Sequence, residues 1–242
     1  YLAIVLWHLG FPEKAAAKAD KALELAEALG HPFSLGYAAS FSATLYGMLR
    51  DWPTCLSLSE RALHIGKRGP FPSWMAMGNI MKGFSLTKEG YPEEGIPVLQ
   101  QGIDLWSGTG ARLAVPYQHT LLAEAYLEAG RKESGLAAIR NAFRYDWDKL
   151  WWLPEQHRVR AELLLLDPGD EVAAESVFSE GIRRAQEHGD RAGELRAATG
   201  LAHLLREQGN IHRSRMLLGG LIDTFTEGFE IPDLRDARSY MS

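Results

Sequence analysis

Apolar residues recur along this chain at three- and four-residue intervals, in segments of helical length separated by turn signals. Breaks fall at Gly10, Arg50-Asp51, Gly90, Gly130, Asp167-Pro168-Gly169 and Gly209. A second series lies halfway, at Gly30, Gly69, Gly110, near Asp148, Gly189 and Gly228. No stretch sustains the apolar/polar alternation of a strand. The pattern predicts an all-α fold, a right-handed α-α superhelix of about six helix-turn-helix units with a period of ~40 residues. The units run approximately over 1–30, 31–69, 70–110, 111–149, 150–189 and 190–242.

Small residues keep register within the units. Seven positions before each turn stand Ala3, Ala43, Gly83, Ala123 and Ala202, with Ala161 in the fifth unit. Five positions after it stand Ala15, Cys55, Gly95, Gly135, Ala174 and Ser214, and twelve after it Ala22, Ala62, Gly102, Ala142 and Gly181. Small side chains there let paired helices approach closely. A bulky one forces them apart, at about 1–3 kcal/mol of overpacking. Glycine inside a helix costs about 1 kcal/mol against alanine, so Gly83, Gly95 and Gly102 together mark a close approach. That unit also carries Pro97, which is expected to kink or loosen its second helix and to let the solenoid bend there. Phe11-Pro12, Trp52-Pro53 and Tyr91-Pro92 place an aromatic before a helix-starting proline,.

This register resembles the tetratricopeptide repeat (TPR) over nearly the whole chain. The matching positions are the small residue, the Leu or Tyr three later (Leu6, Tyr46, Leu86, Tyr126, Leu205), the turn glycine and the two small residues of the second helix. The period is longer than the usual repeat, the early Trp is absent and the closing Pro is inconsistent, as in the MalT-like variety. The stretches Phe71–Gly78, Leu121–Tyr126 and Phe225–Leu234 are similar to the C-terminal repeat region of bacterial multidomain signalling proteins, in which a nucleotide cyclase or other output domain precedes a STAND-type ATPase. The resemblance implies a regulatory, partner-binding region and carries over no catalytic residue. The opening Tyr1–Gly10 reads as mid-helix, so the chain is expected to be part of a longer protein. The stretch Leu234–Tyr240 is expected to cap the last unit in part.

In such a solenoid the first helix of each unit lines the concave side. Projection of that position gives Ile4, Trp7 and His8, then Tyr37, Ser40, Thr44 and Met48, then Met77, Ile80, Phe84 and Lys88. The later units give Tyr117, Thr120, Glu124 and Glu128, then Glu155, Arg158 and Glu162, then Arg196, His203 and Arg206. The groove is thus expected to be apolar and aromatic through the third unit and charged beyond it. Either it holds an amphipathic helix or extended peptide, or its aromatics are helix-packing core. Trp147, Trp151 and Trp152 fall at the junction of the fourth and fifth units, as a binding anchor or as the plug of a long loop. Glu124 and Glu128, like charges one helical turn apart, suggest a cationic partner.

Composition narrows the alternatives. The formal net charge is −5 over 242 residues, without a basic face, so nucleic acid is not expected as a partner,. No apolar run approaches a membrane span. A lone cysteine excludes an internal disulfide and fits a reducing, cytoplasmic setting,. Gly66-Lys67-Arg68-Gly69 is not a phosphate-binding loop. The eight histidines are scattered, and none pairs with another at helical spacing, so neither a metal nor a cofactor is expected,. Cys55 sits at a packing position and reads as an inert thiol. No motif supports catalysis. The expected function is a non-catalytic protein-interaction or regulatory scaffold that binds a protein, a peptide or other domains of its own chain. The alternative is a sensor that holds a metabolite or sugar in the groove.

Overall fold

The computed structural model describes residues 1–144 and 152–241. The expected break near Asp148, and Trp147 and Trp151 with it, lie outside the described residues. Within them the chain forms α1 (Leu2–His8), α2 (Pro12–Leu29), α3 (Pro32–Met48), α4 (Trp52–Arg68), α5 (Pro72–Lys88), α6 (Pro92–Gly108), α7 (Val115–Glu128), α8 (Lys132–Phe143), α9 (Leu153–Leu164), α10 (Glu171–His188), α11 (Arg191–Glu207), α12 (Ile211–Ile222) and α13 (Pro232–Ser239). No strand occurs among the described residues. The all-α superhelical fold is as the sequence pattern predicts. None of these helices is long and apolar enough to cross a membrane.

The turns explain the pairing. Each odd helix from α1 to α11 ends in a left-handed residue, which reverses the chain into the next even helix. Five of these six residues are glycines, with φ from 67° at Gly130 to 104° at Gly169,. A proline stands in the first turn of α2, α3, α4, α5, α6, α7, α9 and α13, where its missing N–H matters least,.

The small residues sit where paired helices touch. Ala43, Ala123, Ala161, Ala202, Ala15, Cys55, Ala174 and Ser214 are essentially inaccessible. A Cβ built on Gly83 would meet the backbone of Leu99 at 2.4 Å and of Gly95 at 2.5 Å, so α5 and α6 are in backbone contact there. These glycines answer a packing demand, and α6 runs without interruption through Pro97. Ala22 departs from the register: it is exposed.

The stack does not stay open. The inner helices touch in the order α1, α3, α5, α7, α9, α11, and α11 touches α1 again. The first and sixth units are stitched together at several points. His8 Nδ1 lies 2.9 Å from Asp190, the Lys14 amide donates to Glu227, and the Gly228 amide donates to Glu13. The short α13 packs on α11 and α12. Its Asp233 and Asp236 pair with Arg50 at 3.3 and 2.5 Å. The expected concave groove is therefore the interior of a closed ring.

Arg50 is the sixth turn residue. It adopts φ 62°, a left-handed conformation that strains a non-glycine residue by about 1–2 kcal/mol,. Its side chain reaches α13 from there. Arg50→Gly is expected to relieve that strain and to remove the tie, leaving the melting temperature nearly unchanged. Amide exchange in α13 should quicken by about tenfold, the equivalent of one charge-assisted pair. Hydrogen-exchange mass spectrometry checks this, with α5 and α6 as the unchanged reference.

Candidate functional site

At the centre of the ring the inner helices surround a chamber of about 440 Å³. Twelve of the sequence-predicted groove residues line it: Trp7, His8, Met48, Phe84, Lys88, Tyr117, Glu124, Glu155, Arg158, Glu162, Arg196 and His203.

The others lie elsewhere, for identifiable reasons. Thr44 and Thr120 are buried between helices and return their hydroxyls to the carbonyls of Ser40 and Pro116 one turn back,. Ile80 belongs to the hydrophobic core, and Ile4 and Ser40 are buried. Met77 is half-buried away from the chamber, and Tyr37 lines a separate cleft. Glu128 stands outside the wall, paired with Lys88 at 2.5 Å. Arg206 donates to the carbonyl of Tyr240, the residue that follows α13. The projection assumed one lining face along each whole inner helix. Several positions of that face are instead taken up by packing between neighbouring helices and do not reach the interior.

The charged half of the wall is a single alternating chain of ions. Lys88 bonds Glu124 at 2.8 Å and also holds Glu128. Arg158 reaches Glu124 at 3.0 Å, Glu155 at 2.6 Å and Glu162 at 2.8 Å. Arg196 links Glu155 at 3.2 Å to Asp233 at 2.8 Å, and Arg50 continues to Asp236. The cationic partner expected for Glu124 and Glu128 is thus Lys88 of the same chain. Burial opposes the charges on Lys88, Arg158 and Arg196, but the carboxylates beside them outweigh it and hold all three pKa values above the ordinary ones,. Burial alone would push the Glu124 carboxyl up, and the cations Lys88 and Arg158 bring it far below the usual range. Glu162 behaves oppositely. Burial pushes its carboxyl up, and Arg158, shared with two other carboxylates, does not bring it back.

The other half of the wall is aromatic. Trp52 and Phe84 meet edge to face at 5.7 Å, and the Lys88 ammonium lies 5.9 and 5.8 Å from their ring centres. The Arg196 guanidinium sits 4.8 Å over Trp7, and Tyr117 packs beside Trp152. Trp152 therefore belongs to the chamber wall. The sequence reading missed Arg50, Trp52, Asp190, Asp233 and Asp236. One signal was available, an arginine at the turn position where the other units carry glycine.

Among the described residues, no cluster of three His, Cys, Asp or Glu is arranged to hold a metal. Cys55 is inaccessible, and burial pushes its thiol up to about 11, so it is protonated at neutral pH,.

Two further places bear on the surface. His157 packs against Phe143, and burial pushes its imidazole down to about 4, with Arg160, Arg183 and Arg184 adding to the shift and Glu180 opposing it. The folded state then binds fewer protons than the unfolded one between pH 6.5 and 4. Stability is full above about pH 6.5 and falls as the pH drops through that window. His157→Phe is expected to remove about 2 kcal/mol of the loss between pH 7 and 5, read by urea denaturation at the two pH values. The second place is an apolar cleft between α1, α2 and α3. Tyr1, Leu2, Leu25, Leu29 and Phe33 are more than 45% exposed there, Leu29 at 72%.

No protein-family model matches the chain, and no curated protein does. Solved structures do. BtubC (BKLC) from P. vanneervenii superposes with a TM-score of 0.61 at 14% identity, over 90% of this chain and 94% of that one. Yeast Tom70 superposes with a TM-score of 0.53 at 14% identity, over 94% of this chain, which spans 43% of Tom70. At that identity the likeness is one of fold, a helical-repeat solenoid.

Proposed function

We propose that the chain is a non-catalytic, cytoplasmic regulatory scaffold that holds an amphipathic helix supplied by another domain of a larger bacterial signalling protein of the ATPase or cyclase type. The observation that carries this is the apolar cleft. The strip of each outer helix that bears Ala62, Gly102, Ala142 and Gly181 is covered by an inner helix in the second to fifth units. In the first unit the equivalent Ala22 is open, flanked by Leu25 and Leu29. An amphipathic helix with apolar residues at three- and four-residue spacing matches that strip in shape and polarity. The stretches similar to repeat regions of signalling proteins support the setting. The inner face is an unsuitable place for a long peptide, because the ring is closed.

Photo-cross-linking in the full-length protein tests this. A benzophenone amino acid at position 29 is expected to give one defined adduct, mapped by mass spectrometry to a helix of another domain. The same probe at Val172, on the outer surface, should give none. An absence of adducts from both positions 25 and 29 overturns the reading, and an adduct to the same cleft of a second copy replaces it with self-association.

The chamber favours a second reading, a sensor of a small molecule. Its volume falls within the range of ligand pockets, and its wall combines aromatic faces with convergent charges,.

A further inference from the structure

We infer that the central chamber binds a small organic dication, an aliphatic diamine or guanidino-amine, an inference that rests on the small-molecule reading. The first support is charge balance. The linked ion chain holds four cations, Arg50, Lys88, Arg158 and Arg196, against six carboxylates, those of Glu124, Glu128, Glu155, Glu162, Asp233 and Asp236. Among the described residues the carboxylates of this chain exceed the cations by two, with Glu128 outside the wall and the other five at the chamber. The deficit is sharpest at Arg158, which serves three carboxylates at once. Glu162 carries the weakest share: among the described residues it pairs with Arg158 alone, and it keeps 28% of its side chain accessible and lines the chamber.

The second support is the aromatic wall. Lys88 lies near the rings of Trp52 and Phe84, and Arg196 lies over Trp7, so the chamber already seats cations on aromatic surface,. Tyr117 presents a hydroxyl that bonds no described residue. The apolar stem of a diamine fits against these rings while its charged ends reach carboxylates. An anionic ligand meets the opposite of both.

Titration calorimetry on the intact chain with agmatine, spermidine, butylamine and adipate tests the inference. Agmatine or spermidine is expected to bind saturably, at least tenfold tighter than butylamine, and to raise the melting temperature by a few degrees. Glu162→Gln, which keeps the hydrogen bond to Arg158, should weaken dication binding by about tenfold. Tyr117→Phe should weaken it several-fold in a variant whose chamber is otherwise unchanged. Unchanged affinity in both variants overturns the chamber as the site. Adipate binding as tightly as the dications overturns the charge class and leaves a small-molecule chamber standing. No saturable binding of either dication at millimolar concentration overturns the inference outright. The cleft is tested separately, because Leu25→Asp with Leu29→Asp should abolish its adducts and leave dication affinity unaltered.

Discussion

Gly95→Ala is expected to lower stability by about 3 kcal/mol, which for a chain of this size lowers the melting temperature by roughly 6–12 °C. The reason is that nothing beside this glycine can give way. A Cβ there would meet the Gly83 carbonyl oxygen and the Thr87 hydroxyl, both at 2.4 Å, and the Thr87 amide nitrogen at 2.8 Å. Two of these are backbone atoms of α5, so the helices must part along the tightest seam in the molecule. Gly135 is the control. Its Cβ would meet side-chain atoms of Leu163, the nearest at 2.3 Å, and a leucine can change rotamer,. Gly135→Ala should therefore destabilise the protein less, by about 1 kcal/mol after the gain in helix propensity. Urea or thermal denaturation followed by circular dichroism separates the two. Equal effects would show that the contact at Gly95 does not set the seam.

That seam was legible in the sequence for a physical reason. A repeat imposes the same demand at the same register six times, and alanine, cysteine, serine and glycine share only their small size. The turns were legible likewise, since a left-handed residue is a local requirement and glycine meets it without strain. Ring closure was not. It depends on the small rotation between successive units, accumulated over six of them, and no residue encodes that rotation alone. Its consequences therefore stayed hidden as well. Asp233 and Asp236 read as surface charges of a capping helix, and Glu124 and Glu128 as a pair awaiting a partner. Lys88 satisfies the second pair because α5 and α7 are neighbours in the ring. Arg50 satisfies the first across 183 positions of sequence. Thr44, Ile80 and Thr120 were misplaced because packing between neighbouring helices buries them before they reach the interior.

The same closure makes Arg196 the residue on which the interior depends most. Its guanidinium donates to Asp233 at 2.8 Å, to Glu155 at 3.2 Å and to the Met48 carbonyl at 2.5 Å, while its plane covers Trp7. It thus ties α11 to α1, α3, α9 and α13 at once. Arg196→Met keeps the apolar stem and removes the charge, leaving Glu155 and Asp233 each with one cation fewer and the Met48 carbonyl without its donor. Breaking a buried pair from one side costs about 3–5 kcal/mol, because the remaining charges stay desolvated. The melting temperature should fall by roughly 10 °C. Arg196→Lys should fall in between, since an ammonium cannot serve three acceptors in the plane of a guanidinium and stack on an indole as well. Small-angle X-ray scattering distinguishes this loss from a simple packing defect. Arg196→Met is expected to increase the radius of gyration, as the first unit separates from the sixth, whereas Gly95→Ala at matched fraction folded is expected to leave it unchanged. If Arg196→Met is destabilised and stays as compact as the parent chain, the ends are held by the contacts of Glu13 and Lys14 with residues 227 and 228, and the ion chain is a consequence of closure rather than its cause.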